Sequence, residues 1–320
     1  MTDVDTGAWR GSKEKAEDHL ELSSEENRLV TSRWEAAKEA RGRLDGIMAG
    51  VEERSASQGG KLEGLDYSLK GLDSFRRKVA VAVARGRKAE REVQKVDDLN
   101  RYTLTFDADT YVQGTQQTYA ELRAQGFEPV SEQNTWEDPV YKGVNTAWEN
   151  RETEEKFELQ FHTPESFQAK SENHELYELA RSGTFEQFNS EKDPKRSESY
   201  QEASDLLQNE RYENVRVPPG VEELEKRTVR ATLNPDVDPE VVEHVRQMEA
   251  DLRATHAAAA KAAEPQQSAD GLGESLGTGG PGLRDRLAAK TGPVRQSNAR
   301  SAPAADPLPT QSRGRGRSMA

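Results

Sequence analysis

No cysteine occurs among the 320 residues, which excludes disulfides, thiolate nucleophiles and cysteine-ligated zinc. Histidine is nearly as scarce. His19, His162, His174, His244 and His256 are too scattered in sequence to suggest a metal cluster, so any metal is expected to be a hard cation held by carboxylates. Aromatic residues make up 6% and hydrophobic residues 33% of the chain, and its mean hydropathy is -0.97. That is too little apolar material to pack the whole length, and part of the chain is expected to be disordered. No apolar run is long enough to span a bilayer, and the start, MTDVDTGAWRG, lacks the basic-then-apolar pattern of a signal peptide. A soluble, cytoplasmic protein with no membrane partner is expected; export by a route without a cleaved signal stays open.

Positive charge is also in short supply. The net charge of -13 argues against a chain that coats DNA, because neutralising phosphates needs concentrated Lys and Arg. The charge is uneven: from Glu264 onward eight Arg or Lys residues face five acids. The acidic excess therefore lies in the body, and the mildly basic end, closing on SRGRGRS, reads as a solubilising tail.

Five segments are expected: a flexible N-terminus (1–24), an N-terminal helix (25–58), an α/β domain (59–226), a charged helical arm (227–263) and a disordered tail (264–320). Val30, Trp34, Ala37, Leu44, Met48 and Val51 recur at helical steps and form one apolar stripe. SASQGGKLEG breaks that pattern with glycines, LDYSL reads as a short strand, and DSFRRKVAVAVARGRKAEREVQ reads as a helix capped by Asp73 or Ser74. RYTLTF, FEPVSEQNTW, GVNTAWE and KFELQFHT have strand texture, a helix closed by Gly126 lies between the first two, and two helices follow the last. This is an α/β (α+β) pattern with a small mixed sheet flanked by helices. The alanine-rich stretch 237–262 reads as a solvent-exposed arm, and beyond 264 the composition cannot bury enough apolar surface to offset its ordering entropy.

The stretch FELQFHTPES alternates in a way that raises a question of function. Phe157, Leu159 and Phe161 fall on one strand face, which leaves Glu158, Gln160 and His162 together on the other. A solvated sheet face is the ordinary explanation of such a polar row. Two further pieces bear on it. Lys70, Ser74 and Lys78 sit four apart at a predicted helix start, where free N–H groups, the helix dipole and two ammonium groups suit a polyphosphate. Asp97 and Asp98 come immediately before an apolar strand, where a carboxylate can hold Mg2+. Taken singly, lysines at helical spacing are usually a solvated face, and an Asp pair is usually a turn.

Taken in order, Lys70-x3-Ser74-x3-Lys78, an Asp before a strand, the Gly-centred YKGVNTAW, ELQFHT and His174-x2-Tyr177 resemble the synthetase domain of RelA/SpoT-type alarmone synthetases. That domain has a nucleotidyltransferase-like fold, and the likeness runs over about residues 61 to 180. The resemblance implies Mg2+-dependent pyrophosphate transfer from ATP to the 3′-hydroxyl of a nucleotide. Lys70, Ser74 and Lys78 would hold the ATP phosphates, and Asp98 and Glu158 the metal. Glu158, with Gln160, would orient or deprotonate the attacking hydroxyl. Arg76, Arg101, Lys142, Asn145, His162 and His174 are further candidates for nucleotide contacts. Such an inventory suits phosphoryl-type transfer, which depends on positioning and charge neutralisation.

The sequence departs from the family at several positions. Ser68 and Thr103 stand where the family carries arginines, and the family's G-Y-x-S-L-H is Gly143-Val144-Asn145-Thr146-Ala147-Trp148 here. Adenine stacking would fall to Arg101 or Arg76, and a different stacking surface to Trp148 or Trp136, although tryptophans in a sheet are more often core. The pattern is closer to the divergent branch found in toxins and mobile-element proteins, and the wider family includes acceptors such as GDP, GTP, adenosine nucleotides and the 3′ end of tRNA. No His-Asp pair suited to the reverse, hydrolytic reaction accompanies it. The alternative is a catalytically inactive nucleotide-binding or structural module of the same fold.

Overall fold

Ser23 starts the first helix, α1 (Ser24–Ser55), with a reciprocal cap: its hydroxyl accepts from the Glu26 amide, and the Glu26 carboxylate accepts from the Ser23 amide. Val30, Ala37, Leu44, Met48 and Val51 of the expected stripe are buried, together with Ile47, while Trp34 is half-buried. The computed structural model describes residues 7–12, 17, 19–224 and 226–263, which belong to one compact unit. The expected disordered tail, 264–320, lies outside the described residues. Within the N-terminal segment expected to be flexible, β1 (Trp9–Arg10) pairs antiparallel with β2 (Glu21–Leu22).

The main sheet runs β3 (Lys61–Glu63), β4 (Arg101–Thr105), β7 (Glu155–His162), β6 (Val144–Asn150), β5 (Glu128–Asn134) in space, with β4 and β7 parallel and the other pairs antiparallel. One face carries Tyr102, Leu104, Val144, Trp148, Phe157, Leu159 and Phe161, all buried against Leu44, Ile47, Met48 and Val51 of α1 and Tyr111 and Leu122 of α4 (Tyr111–Ala124). Gly126, at φ 85°, ends α4 in the left-handed conformation glycine adopts most readily. The α+β reading with a small mixed sheet matches this architecture, and α1 shares the sheet's core. Among the described residues no helix is long and apolar enough to cross a membrane.

Two segments differ from their sequence reading. LDYSL forms a 3-10 turn, Leu65–Tyr67, entered through Gly64 at φ 62°, and Leu69 makes only an isolated bridge to Asn100. The strand at that sheet edge is instead Lys61–Glu63, hidden in sequence behind Gly59 and Gly60. The second difference is α8 (Pro239–Ala263), which is packed rather than a solvent-exposed arm. Val241 and Val245 are buried with Met248 and Leu252 beside them, against α6 (His174–Arg181) and α7 (Arg196–Tyr212). Glu249 accepts a bidentate pair from Arg211 Nη2 at 2.6 and 2.8 Å. The alanine-rich end of α8 dilutes a helical stripe that stops at Leu252.

The loop between β5 and β6 is tied to the chain's return from α7 by one carboxylate. Asp138 is fully buried and accepts from the amides of Val140 (2.9 Å), Tyr141 (3.1 Å), Arg230 (2.5 Å) and Ala231 (3.3 Å). Asp138→Ala removes the one buried acceptor shared by four part-buried backbone amides, so it is expected to cost about 2–4 kcal/mol of stability. A urea midpoint unchanged from the parent chain would contradict this role.

Candidate active site

The polar face of the sheet carries five of the candidate residues, Arg101, Asn145, Glu158, Gln160 and His162. Register sets Arg101 of β4 opposite Glu158 of β7, and Asn145 of β6 opposite Gln160. Glu158, Gln160 and Asn145 therefore share the face that Phe157 and Phe161 do not, as the alternation predicts. Gln160 Nε2 donates to Glu158 Oε1 at 2.7 Å. On the other side of Gln160, its Oε1 accepts from Lys170 Nζ at 2.5 Å.

Lys170 comes from α5 (Pro164–Glu172), the helix that leaves β7 through a Thr163 cap with Pro164 in its first turn. Burial, reinforced by the Arg101 guanidinium and opposed by Glu158, pushes the Lys170 ammonium down to about 8. The sequence reading missed Lys170. The signal was present, because Ser166, Ala169 and Lys170 fall at the i, i+3, i+4 positions that turn one helix face inward.

Beside this row lies a cluster of three charges. Lys70 Nζ donates to Asp98 Oδ2 at 2.6 Å and Lys78 Nζ to Asp98 Oδ1 at 2.9 Å. The Lys70 amide bonds the Leu99 carbonyl at 2.8 Å, and the Trp34 indole N–H donates to the Lys70 carbonyl at 2.6 Å, which pins this loop against the entry to β4. Burial alone would raise the Asp98 carboxyl, but the two ammonium groups more than offset it and hold it at about 2. Lys70 itself is lowered: its burial outweighs the help from Asp98, and Lys78 and Arg101 add repulsion. Helix α2 (Leu72–Ala84) begins after Gly71, two or three positions earlier than a cap at Asp73 or Ser74 would set it, and no side-chain cap is made. Ser74 lies in its first turn, exposed, one turn before Lys78. Asp97 is engaged separately by Lys156 at 3.7 Å, and burial raises its carboxyl.

Several candidates are placed elsewhere or occupied. His162 is buried completely, with one ring nitrogen near Tyr141 Oη (3.0 Å) and the other near the Lys142 carbonyl (3.1 Å) and Ser166 Oγ (3.0 Å). Burial and the Lys170 charge push it well below the usual imidazole range, so it is a neutral ring at pH 7 and not a phosphate-binding cation. A Cβ on Gly143 would stand 2.7 Å from its Cε1, which is why glycine faces it. Arg76 binds Asn27 Oδ1 at 2.9 Å and Asp73 at 3.1 Å, tying α2 to α1. Lys142 folds onto the carbonyls of Trp136 and Asp138. His174 opens α6 with its ring 6.3 Å from that of His256 on α8. Trp136 and Trp148 are core, at 2% and 0% exposure, and so offer no stacking surface. Asn145 accepts from Tyr141 Oη at 2.8 Å.

The departures from the family pattern have a structural counterpart. Ser68 is buried, accepting from Arg41 Nε at 2.9 Å and donating to Asp45 Oδ1 at 3.2 Å, with the Tyr102 hydroxyl on the same carboxylate at 2.8 Å. Here α1 supplies a guanidinium that the loop itself lacks, spent on holding the loop. Among the described residues no three His, Cys, Asp or Glu side chains gather as a metal site. Mg2+ usually takes one or two protein carboxylates with phosphate oxygens and water, the type and number of donor that Asp98 and Glu158 would supply.

No protein-family model and no curated protein matches the chain. Among solved structures it is similar to smu.1046c from Streptococcus mutans UA159, at 14% identity over 69% of this chain and 96% of that one, with a TM-score of 0.36. It is also similar to the small alarmone synthetase 1 from Bacillus subtilis, at 16% identity over 55% and 89% of the two chains and a TM-score of 0.34. The same synthetase bound to its product pppGpp gives 16%, 54%, 90% and 0.33.

Proposed function

We propose that the chain transfers pyrophosphate from ATP to the 3′-hydroxyl of an acceptor nucleotide. One observation supports this above the others: the Lys70–Asp98–Lys78 cluster lies at the entry to β4, and the Glu158–Gln160 pair lies on β7, the strand parallel and adjacent to it. In this reading Lys70 and Lys78 exchange Asp98 for the ATP phosphates, assisted by the Ser74 hydroxyl in the first turn of α2. Glu158, oriented by Gln160, takes the proton of the acceptor hydroxyl. The acceptor oxygen then bonds to the β-phosphorus as the bond between that phosphorus and the oxygen bridging to the α-phosphate breaks, and AMP leaves with that oxygen. Asp98 and Glu158 would hold Mg2+, which when bound neutralises charge on the phosphates.

The experiment offers the purified chain Mg2+ and γ-32P-ATP with AMP, ADP, ATP, GDP, GTP or deacylated tRNA in separate reactions. Labelled acceptor is expected in at least one. A second reading, a nucleotide-binding module without turnover, is favoured by the commitment of both Asp98 oxygens to lysines. Folded chain that binds ATP in an Asp98-dependent way yet labels no acceptor would select it.

A further inference from the structure

Nearly every cation around the polar face has a counter-charge or a carbonyl to hold. Lys70 and Lys78 share Asp98, Lys156 faces Asp97 and Glu149, and Lys142 caps two carbonyls. Arg101 and Lys170 are different: among the described residues neither forms a salt bridge, and the hydrogen-bond partner of Lys170 is the neutral Gln160 amide. They nevertheless flank one carboxylate, Arg101 directly across the β4–β7 pairing from Glu158 and Lys170 through Gln160. A mostly buried ammonium with no ion-pair partner and a guanidinium repelling it is a costly arrangement. Folding alone does not require it, since an apolar side chain would fill the space without that penalty.

We propose that Arg101 and Lys170 form a second anion site, distinct from the Lys70–Asp98–Lys78 cluster, which takes a phosphate group of the acceptor. The planar guanidinium offers a two-pronged contact and the ammonium a point charge, the pairing that suits a tetrahedral oxyanion. An anion there supplies the counter-charge that Gln160 cannot, and it stands beside Glu158, where the acceptor hydroxyl must be activated. That the phosphate belongs to the acceptor rests on the pyrophosphate-transfer reading; the anion site does not.

The test is calorimetric titration of the full chain with inorganic phosphate and with AMP and GMP, in parallel with K170M, R101M and K70M. K170M and R101M are each expected to weaken one binding event about tenfold or more, an event K70M leaves in place. Near pH 8.5 that event is expected to take up protons, because an anion restores charge to Lys170, and this buffer-dependent heat disappears in K170M. K170M removes a buried charge, so a melting temperature equal to or above the parent's confirms that it folds. Parent-like phosphate binding by both variants, or anion binding by the parent that depends on Lys70 alone, overturns the proposal. If the site binds phosphate but K170M and R101M leave acceptor KM unchanged in an active chain, the assignment to the acceptor falls and the anion site stands.

Discussion

Glu158→Gln is expected to lower pyrophosphate transfer by about 10²–10⁴-fold, the usual contribution of a positioned general base, with the fold intact. The substituted amide keeps an oxygen that accepts from Gln160 Nε2, the contact Glu158 makes now at 2.7 Å. The backbone bond from the Glu158 amide to the Asn100 carbonyl, at 2.9 Å, is untouched. What disappears is the negative charge, and with it the proton acceptance and one of the two metal donors proposed above. Glu158 also raises the Lys170 ammonium against its burial, so the variant lowers Lys170 further and weakens any anion that depends on it. Single-turnover rates with saturating ATP separate this from a binding defect. An activity within about a tenth of the parent's would remove Glu158 from the chemistry, since one tenfold step is only about 1.4 kcal/mol of barrier.

The second large effect is on stability. Asp98→Ala leaves Lys70 and Lys78 facing each other without their shared carboxylate. Lys70 is the more buried of the two: its side chain is 17% exposed and that of Lys78 40%. Stranding one buried and one half-exposed ammonium is expected to cost about 2–4 kcal/mol, toward the low end because water screens Lys78. Converting Lys70 to Met in the same chain should recover much of that loss, because Lys70 does not regain from Asp98 what it loses on leaving water. The pH dependence follows from the carboxyl. Its folded value of about 2 lies below the ordinary 3.8, so its contribution is complete above about pH 4 and disappears as pH falls toward 2. At about 1.4 kcal/mol per unit this is on the order of 2 kcal/mol. Urea unfolding of the parent and Asp98→Ala from pH 7 to pH 2.5 should show the two curves converging. A constant gap across that range would rule the explanation out.

Strand faces were legible from alternation alone: Phe157, Leu159 and Phe161 go to the core, and Glu158 and Gln160 to the other side. Depth was not. His162 shares their face, but Tyr141, Lys142 and Ser166 close over it, and period-two reasoning carries no information about what covers a strand's end. The lysine cluster was legible as spacing, yet Lys70 meets Asp98 because its loop is bonded to the Leu99 carbonyl, a pairing outside any local window. Lys170 was overlooked because a single lysine in a polar helix looks solvated until its periodic neighbours, Ser166 and Ala169, are known to be buried. The valine pair of α8 was lost in the same way beneath its alanines.

The place of β7 between β4 and β6 sets when the site comes into being during synthesis. The lysine cluster needs only the chain up to β4, whereas Glu158 arrives after α4, β5 and β6 have been made. It must then insert beside a strand far back in sequence, the kind of non-local closure that slows folding. A nascent chain stopped before β7 would carry the residues proposed to hold polyphosphate without the carboxylate proposed to act on it. The proposed transfer could therefore start only once the central strand is seated, so the order of folding itself would keep an unfinished chain silent.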